Sequence, residues 1–458
     1  MKIIVLGAGQ VGSTVANSLA KENNDITVVD TNADVLNDLH NTLDIRTIQG
    51  SGSHPAILKD AGAEDADMIV AATNADEVNM VACQIAYSMF RTPTKIARIR
   101  SQGYLAEGAQ LFKNDNIPVD VLISPERLVT DHIERIIEHP GALQVLDFAD
   151  GLVRLVGVIV DENAPMNQRC LSVLQALLPD VECRVTAIYR NEKGFIPDGK
   201  TLVQAGDIVF FLSSRADTSA VMGQFRTVEL PNRRVMIAGG GNIGSGLAHR
   251  LEGRYQVKII EANKDRSELL AANLKRTLVF EGDAADHDLL ISENIQDMDV
   301  FCALTNDDEA NILSAMLARR MGAGKVMSLI NRPAYVDLVE RGFIDVAVSP
   351  QQVTIGSLLT HIRRGDVVAV YSLRKGAAEA IEAVAHGDET NSKVVGRRIE
   401  DLPLPPSAMI GALVRDGEMI IAHHDTVIAS EDHIILLVVN KEHIRDVEKL
   451  FQVDVTFM

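Results

Sequence analysis

Apolar residues in this chain follow two alternating rhythms. Short unbroken apolar runs give way to stretches where apolar residues recur every three or four positions. Residues 3–6 form the first run and predict a buried strand. Val11, Val15 and Leu19 then mark one face of a helix. Residues 26–29 make a second strand, and Asp30 closes it. Between the first strand and its helix lies Gly7-Ala8-Gly9-Gln10-Val11-Gly12, a G-x-G-x-x-G. Strand, glycines, helix, strand and terminal acid arrive in the order that dinucleotide binding requires. Gly7 permits a tight turn, Gly9 lets a pyrophosphate approach the backbone, and Gly12 lets helix and strand pack closely. The helix start offers N–H groups and partial positive charge to phosphates. Asp30 can accept hydrogen bonds from a ribose 2′-OH.

The same rhythm continues. Strands are expected at 46–49, 67–72, 95–99 and 119–123, with helices at 55–61, 77–90 and 104–113. Alternating strands and helices predict a parallel sheet covered on both faces. The fourth strand runs out into Thr73-Asn74, where such sheets place their ligands, so both are candidates to touch a nucleotide. Arg98 on the fifth strand is a candidate phosphate contact. Plainer roles are helix capping for Thr73, Asn74 and Glu77, and a surface ion pair for Arg98.

The chain contains this pattern twice. Gly239-Gly240-Gly241-Asn242-Ile243-Gly244 repeats the glycine motif. Ile243, Leu247 and Leu251 repeat the helical stripe, and Glu261 stands where Asp30 stood. Gly7 and Gly239 are 232 positions apart, as are Thr73 and Thr305, which is followed by Asn306. Arg98 has no clear counterpart in Lys325-Val326-Met327-Ser328-Leu329-Ile330. The two pockets are therefore expected to be related but not equivalent. Ser124-Pro125 matches Ser349-Pro350 at an offset of 225, and helices are expected after them at 126–138 and 351–364. A smaller unit follows each helix. Arg190 and Asp207 recur as Arg415 and Asp432, also 225 apart, among short strands and turn signals that read as α+β. The expected fold class is α/β: two tandem Rossmann-like, doubly wound parallel sheets, each followed by a small α+β lobe. The expected domains are 1–123, 124–225, 232–348 and 349–458.

Composition narrows the function. The 458 residues carry a formal net charge of −19, which argues against a nucleic-acid partner. Four cysteines without C-x-x-C spacing suit free thiols in a reducing cytosol. No signal peptide is visible, and no apolar stretch approaches the roughly 18–20 residues of a membrane helix, so a soluble chain is expected.

The glycine motifs, Asp30, Thr73-Asn74, Ala97-Arg98, Ser124-Pro125 and Glu261 together resemble a known family. The tandem arrangement is similar to that of the RCK (KTN) regulators of bacterial Trk potassium uptake, the TrkA family. The resemblance spans essentially the whole chain. It implies RCK C-terminal lobes after each Rossmann domain, and binding of NAD(H) and of ATP or ADP. It further implies a homo-oligomeric ring, a tetramer, partnering a Trk-type potassium transporter membrane subunit. Such a protein is cytoplasmic and peripheral on the cytoplasmic face of the inner membrane. One departure is Gly50-Ser51 at the third-strand end, where many such domains carry Gly-Asp, as Gly282-Asp283 does in the second half.

The rival reading is an NAD(P)-dependent oxidoreductase. It needs a positioned acid or base beside the same pocket. The twelve histidines are scattered, and none recurs at equivalent places in both halves. His423-His424 with His433 lacks the supporting Cys or carboxylate spacing of a metal site. Sensing without catalysis is therefore the expected role, with no catalytic residues and no metal.

Overall fold

The computed structural model describes residues 1–20, 24–113, 115–227, 231–339, 344–361, 366–373 and 377–452. Residues 362–364 of the expected second helix, and 453–458, lie outside the described residues. The chain forms two compact units. One comprises Met1–Val129 with Ser349–Ile355, the other Thr130–Val348 with Gly356–Met458.

The first unit is built on one parallel sheet. Its strands are β1 (Lys2–Leu6), β2 (Asp25–Asp30), β3 (Arg46–Gln49), β4 (Met68–Ala71), β5 (Thr94–Arg98) and β6 (Val121–Ile123). Their order is β3-β2-β1-β4-β5-β6. This is the doubly wound arrangement, whose switch point lies between β1 and β4. Ile3, Ile4, Val5 and Leu6 are all buried, which is why β1 is an unbroken apolar run. The helix Gln10–Ala20 buries Gly12, Val15, Ala16 and Leu19.

Three local features depart from the sequence pattern. A helix at Ala33–Thr42 is not among the expected elements, although Val35, Leu36 and Leu39 recur at helical spacing; only Leu36 is buried. It starts at Asn32, whose side chain accepts from the Asp34 N–H at 2.9 Å. The expected helix at 77–90 is α-helical over Asp76–Ile85 and then widens into a π turn, Ala86–Phe90. The second half has one continuous helix there, Asp308–Arg320. The repeat offset falls from 232 at Asn79 to 231 at Arg91, whose equivalent is Gly322. The π turn absorbs that extra residue. The expected helix at 104–113 is two short ones, Gln102–Ala106 and Gly108–Leu111.

The second unit holds a second parallel sheet and two antiparallel ones. The parallel strands are β12 (Arg234–Ala238), β13 (Gln256–Glu261), β14 (Leu278–Glu281), β15 (Val300–Ala303), β16 (Lys325–Leu329) and β17 (Val346–Val348), in order β14-β13-β12-β15-β16-β17. The first lobe contains β7 (Ala142–Phe148), β8 (Val153–Ile159), β9 (Cys183–Arg190), β10 (Lys193–Phe195) and β11 (Ile208–Ser214). The second contains β18 (Val367–Leu373), β19 (Ala378–Val384), β20 (Ala408–Arg415), β21 (Glu418–Ile421) and β22 (His433–Val438). The orders β10-β9-β11-β8-β7 and β21-β20-β22-β19-β18 are equivalent.

The two lobes share one core. Phe210 and Leu212 of β11 join their repeat equivalents, Ile435 and Leu437 of β22, in a single buried cluster. The alternate residues, Val209 and Phe211, face a second cluster with Phe225. Period-two alternation thus sends side chains to two cores, and β11 is buried on both faces. Each lobe is clamped by an arginine fork. Arg190 Nε and Nη2 donate to the two Asp207 oxygens at 2.7 Å each, and Arg415 does the same to Asp432. Among the described residues, no helix is long and apolar enough to cross a membrane.

Candidate functional site

Each parallel sheet carries a glycine cradle at its switch point. In the first unit, Gly7 adopts φ +95° and its N–H donates to Val29 O at 2.8 Å. A Cβ on Gly12 would lie 1.8 Å from Gly7 O, so only glycine lets the helix approach. A Cβ on Gly9 would meet nothing within 4 Å. The loop therefore faces open space at the point where a phosphate would sit. The second cradle repeats this. Gly239 has φ +99°, a Gly244 Cβ would stand 1.9 Å from Gly239 O, and Gly241 faces open space. By helix geometry, the first N–H groups of Gln10–Ala20 and Asn242–Leu251 lack intrahelical partners and point to these openings.

The terminal acids shape the cradles as well as facing them. Asp30 Oδ2 accepts the Ala8 N–H at 2.6 Å, and Oδ1 accepts the Asn32 N–H at 2.8 Å. Glu261 Oε2 accepts from Gly240 N–H at 2.8 Å, and Oε1 accepts from Asn263 N–H at 2.8 Å. A carboxylate oxygen has a second lone pair, so each acid can fix the loop and still receive a ribose hydroxyl. Val11 and Ile243 are half-buried behind the loops, while Gln10 and Asn242 are exposed at the helix starts.

Thr73 and Thr305 sit at the β4 and β15 ends, but their hydroxyls are committed inward. Thr73 Oγ1 donates to Asn79 Oδ1 at 2.7 Å, and the Thr73 N–H reaches the same oxygen at 3.0 Å. Asn79 Nδ2 donates to Arg98 O at 2.8 Å. Asn311 holds Thr305 and Leu329 O in the same way, at 2.7 and 3.0 Å. Asn79 and Asn311 are fully buried. The sequence pattern did not single out Asn79 for this role. The offset of 232 shared by Asn79 and Asn311 was the signal. Asp76 is a second missed residue. Its Oδ2 accepts from the N–H groups of Arg100 and Ser101 at 3.0 and 2.8 Å, and Asp308 does likewise for Asn331 and Arg332. Asn74 and Asn306 are exposed beyond these networks. The Asn74 carbonyl accepts from Arg100.

Arg98 ends β5. Its Nη2 donates to Glu126 Oε1 at 3.0 Å, while its buried Nε has no hydrogen-bond partner among the described residues. The strand registers place Leu329 at the equivalent point of β16. The second cradle therefore has an apolar side chain where the first has a guanidinium. At the third-strand end, Ser51 Oγ lies 2.9 Å from Ser53 Oγ, whereas Asp283 accepts from Ala285 N–H at 2.8 Å.

The buried thiols near the sheets are inert. Burial pushes Cys83 and Cys302 each up to about 12. The His423 backbone N–H donates to Thr426 Oγ1, and His433 pairs with Glu382 at 2.6 Å. Among the described residues, no group of three or more His, Cys, Asp or Glu is arranged to hold a metal.

The helix after the second cradle is tied to the helix Pro125–Glu138. Arg250 pairs with Asp131 and with Glu134 at 3.1 Å, and Arg254 pairs with Glu134 and Glu138.

Comparisons with known proteins agree with this architecture. Residues 3–125 and 235–350 match the TrkA-N domain family, and 155–226 and 389–452 match the TrkA-C domain family. The Trk system potassium uptake protein TrkA of Halomonas elongata is 59% identical over 457 residues, covering 100% of both chains. A crystal structure of the GsuK RCK domain superposes with TM-score 0.62 at 16% identity, covering 98% of this chain and 94% of that one. A GsuK channel bound to NAD gives TM-score 0.62 at 17% identity, covering 98% and 78%. Both halves of the chain thus match the TrkA-N and TrkA-C families, the chain aligns over its full length with a Trk system relative, and it belongs to the TrkA family of Trk system potassium uptake proteins.

Proposed function

We propose that this chain is the cytosolic regulatory subunit of a Trk-type potassium uptake system. It binds NAD(H) and the adenine nucleotides ATP and ADP in its glycine cradles, and it gates a membrane subunit. The observation that carries this is the doubled cradle. Gly9 and Gly241 both face open space, and each loop is pinned by an acid at the ribose position. The potassium system follows from family membership and the names its relatives bear.

A ligand shifts a two-state equilibrium only through its differential affinity for the states. Coupling of about 1–3 kcal/mol per site is ordinary for such switches. Four chains in a homotetrameric ring would add several such increments. The helix Pro125–Glu138 is the natural lever. Its first turn pairs with Arg98, at the first cradle's sheet, and its later turns pair with Arg250 and Arg254, beyond the second cradle. The ring would sit peripherally on the cytoplasmic face of the inner membrane.

The test is potassium flux through a reconstituted Trk-type membrane subunit with this chain added. NADH and ATP should change the flux in different ways. The double variant Arg250→Ala/Arg254→Ala should still bind nucleotide and lose much of that response. Flux indifferent to every adenine nucleotide would end the proposal.

A further inference from the structure

The two cradles differ at the ribose edge. The helices Ala33–Thr42 and Lys264–Asn273 are equivalent, each following its terminal acid after an Asn cap. Asp30 to Glu261 is 231 positions, and the same offset sets Arg266 opposite Val35. Arg266 Nη1 lies 3.8 Å from Glu261 Oε2, the oxygen that also accepts the Gly240 N–H. The guanidinium side chain is half exposed while Glu261 is buried, so the cation stands on the water-facing edge of the acid. The first cradle has no such cation on that helix turn, where Ala33-Asp34-Val35 leaves Asp30 and Asp34 as the charges. The phosphate end differs in the opposite sense, with Arg98 in the first cradle and buried Leu329 in the second.

The second cradle has thus moved its cation from the phosphate end to the ribose end. In dinucleotide folds, an acid at this place selects a free ribose 2′-OH, and a nearby arginine accommodates a 2′-phosphate. The planar guanidinium fork of an arginine can donate two hydrogen bonds to one phosphate group. We propose that the second cradle accepts adenine nucleotides phosphorylated on the ribose 2′-oxygen, NADP(H) in particular, with Arg266 as the specificity-determining residue. The first cradle excludes them, because a 2′-phosphate would meet Asp30 without a cation beside it. This rests on the reading that the second cradle binds an adenine nucleotide.

The experiment uses the full chain with the first cradle closed by Gly9→Val, titrated by calorimetry with NADH and NADPH. NADPH should bind within about threefold of NADH, and Arg266→Ala should lower the NADPH-to-NADH affinity ratio by about tenfold or more, the worth of one charge-assisted hydrogen bond. Arg266→Lys should restore part of the ratio. In the converse chain, closed by Gly241→Val, Val35→Arg should raise the ratio at the first cradle. NADH binding with NADPH rejected, or a ratio unmoved by Arg266→Ala, would overturn the proposal and leave the second cradle a nucleotide site. A Gly9→Val chain that binds neither would overturn the underlying reading, and this inference with it.

Discussion

Arg98 Nη2 donates to Glu126 Oε1 at 3.0 Å, so the end of β5 is ion-paired to the first turn of the helix Pro125–Glu138. Both side chains are largely shielded from water, at 18% and 19% exposure, so their Coulomb attraction is less screened than that of a surface pair. The arginine still has a spare buried donor at Nε. We expect a phosphate arriving at the first cradle to compete with Glu126 for this guanidinium, which would link binding to helix position.

Arg98→Leu makes the first cradle resemble the second. NADH affinity at the first site should fall by about tenfold or more, in line with a lost charge-assisted hydrogen bond. Calorimetry in the Gly241→Val background reads this site alone. Unchanged affinity with a lowered melting temperature would make Arg98 a tether for the helix and nothing more.

Asp30 is expected to do two jobs, and two variants separate them. Asp30→Asn keeps an oxygen for one of the two backbone N–H groups, so the loop should stay formed while NAD(H) binding weakens. Asp30→Ala loses both hydrogen bonds, at Ala8 and Asn32, and should weaken NAD(H) binding further without unfolding the chain. Each lost bond to the charged carboxylate is worth about 1.5–3 kcal/mol, against the roughly 5–15 kcal/mol that holds a domain folded. NAD(H) affinity left at the parent level in Asp30→Asn, with a loss confined to Asp30→Ala, would show that the carboxylate serves only the loop.

The sheets and cradles were legible because their signals are local. Ile3 to Leu6, Gly7 to Gly12 and Asp30 lie within one βαβ unit, and the second copy repeats them. The polar networks behind the cradles were not, because they join separate strands. Asn79 matters through Arg98 O, 19 positions away, and nothing near Asn79 announces that contact. The helix Ala33–Thr42 escaped although Leu36, Leu39 and Leu43 recur at helical spacing, because the stripe is short and polar residues fill most of the helix's ten positions. The shared lobe core was invisible for a third reason. Each lobe strand has the same apolar alternation whether its outer face meets water, a helix or a second lobe.

Asn79 and Asn311 should prove structural. Each is fully buried and links a β-strand end to the neighbouring strand. Asn79→Ala strands the Thr73 N–H and the Arg98 carbonyl, and should cost about 1–3 kcal/mol for each buried group left unpaired. Urea unfolding followed by a first-unit probe should show the loss, and Asn311→Ala should show it in the second unit. A variant as stable as the parent would mean that water replaces the amide.

Acid should loosen the first lobe through His139. Its Nδ1 lies 2.9 Å from Arg135 O, and its Nε2 lies 2.7 Å from Arg154 Nη1. Arginine can only donate, so Nε2 must accept and Nδ1 must carry the proton. Burial holds this histidine below its ordinary value, and the Arg154 charge acts in the same direction. The unfolded chain therefore binds the extra proton first as pH falls through about 6.5. Stability supplied by neutral His139 is present above that pH and is lost below it. The urea midpoint should drop between about pH 7.5 and about pH 5.5, and the drop should shrink in His139→Gln. An identical drop in that variant would place the sensitive group elsewhere.

Bound NADH should not be consumed. Hydride transfer needs a second domain that brings a substrate and an acid–base group to the cradle. The lobes spend one face on each other, through Phe210, Leu212, Ile435 and Leu437, and the opposite face of the first lobe on the cluster around Phe225. Cys83 and Cys302, the buried thiols of the parallel-sheet domains, are held protonated at neutral pH. NADH absorbance should therefore stay constant when the chain is mixed with a panel of small aldehydes, ketones and 2-oxo acids. A steady, protein-dependent loss that disappears in Gly9→Val would establish a reductase at the first cradle. The regulator reading would then need a turnover step, with flux responding to the rate of NADH oxidation and not to nucleotide occupancy.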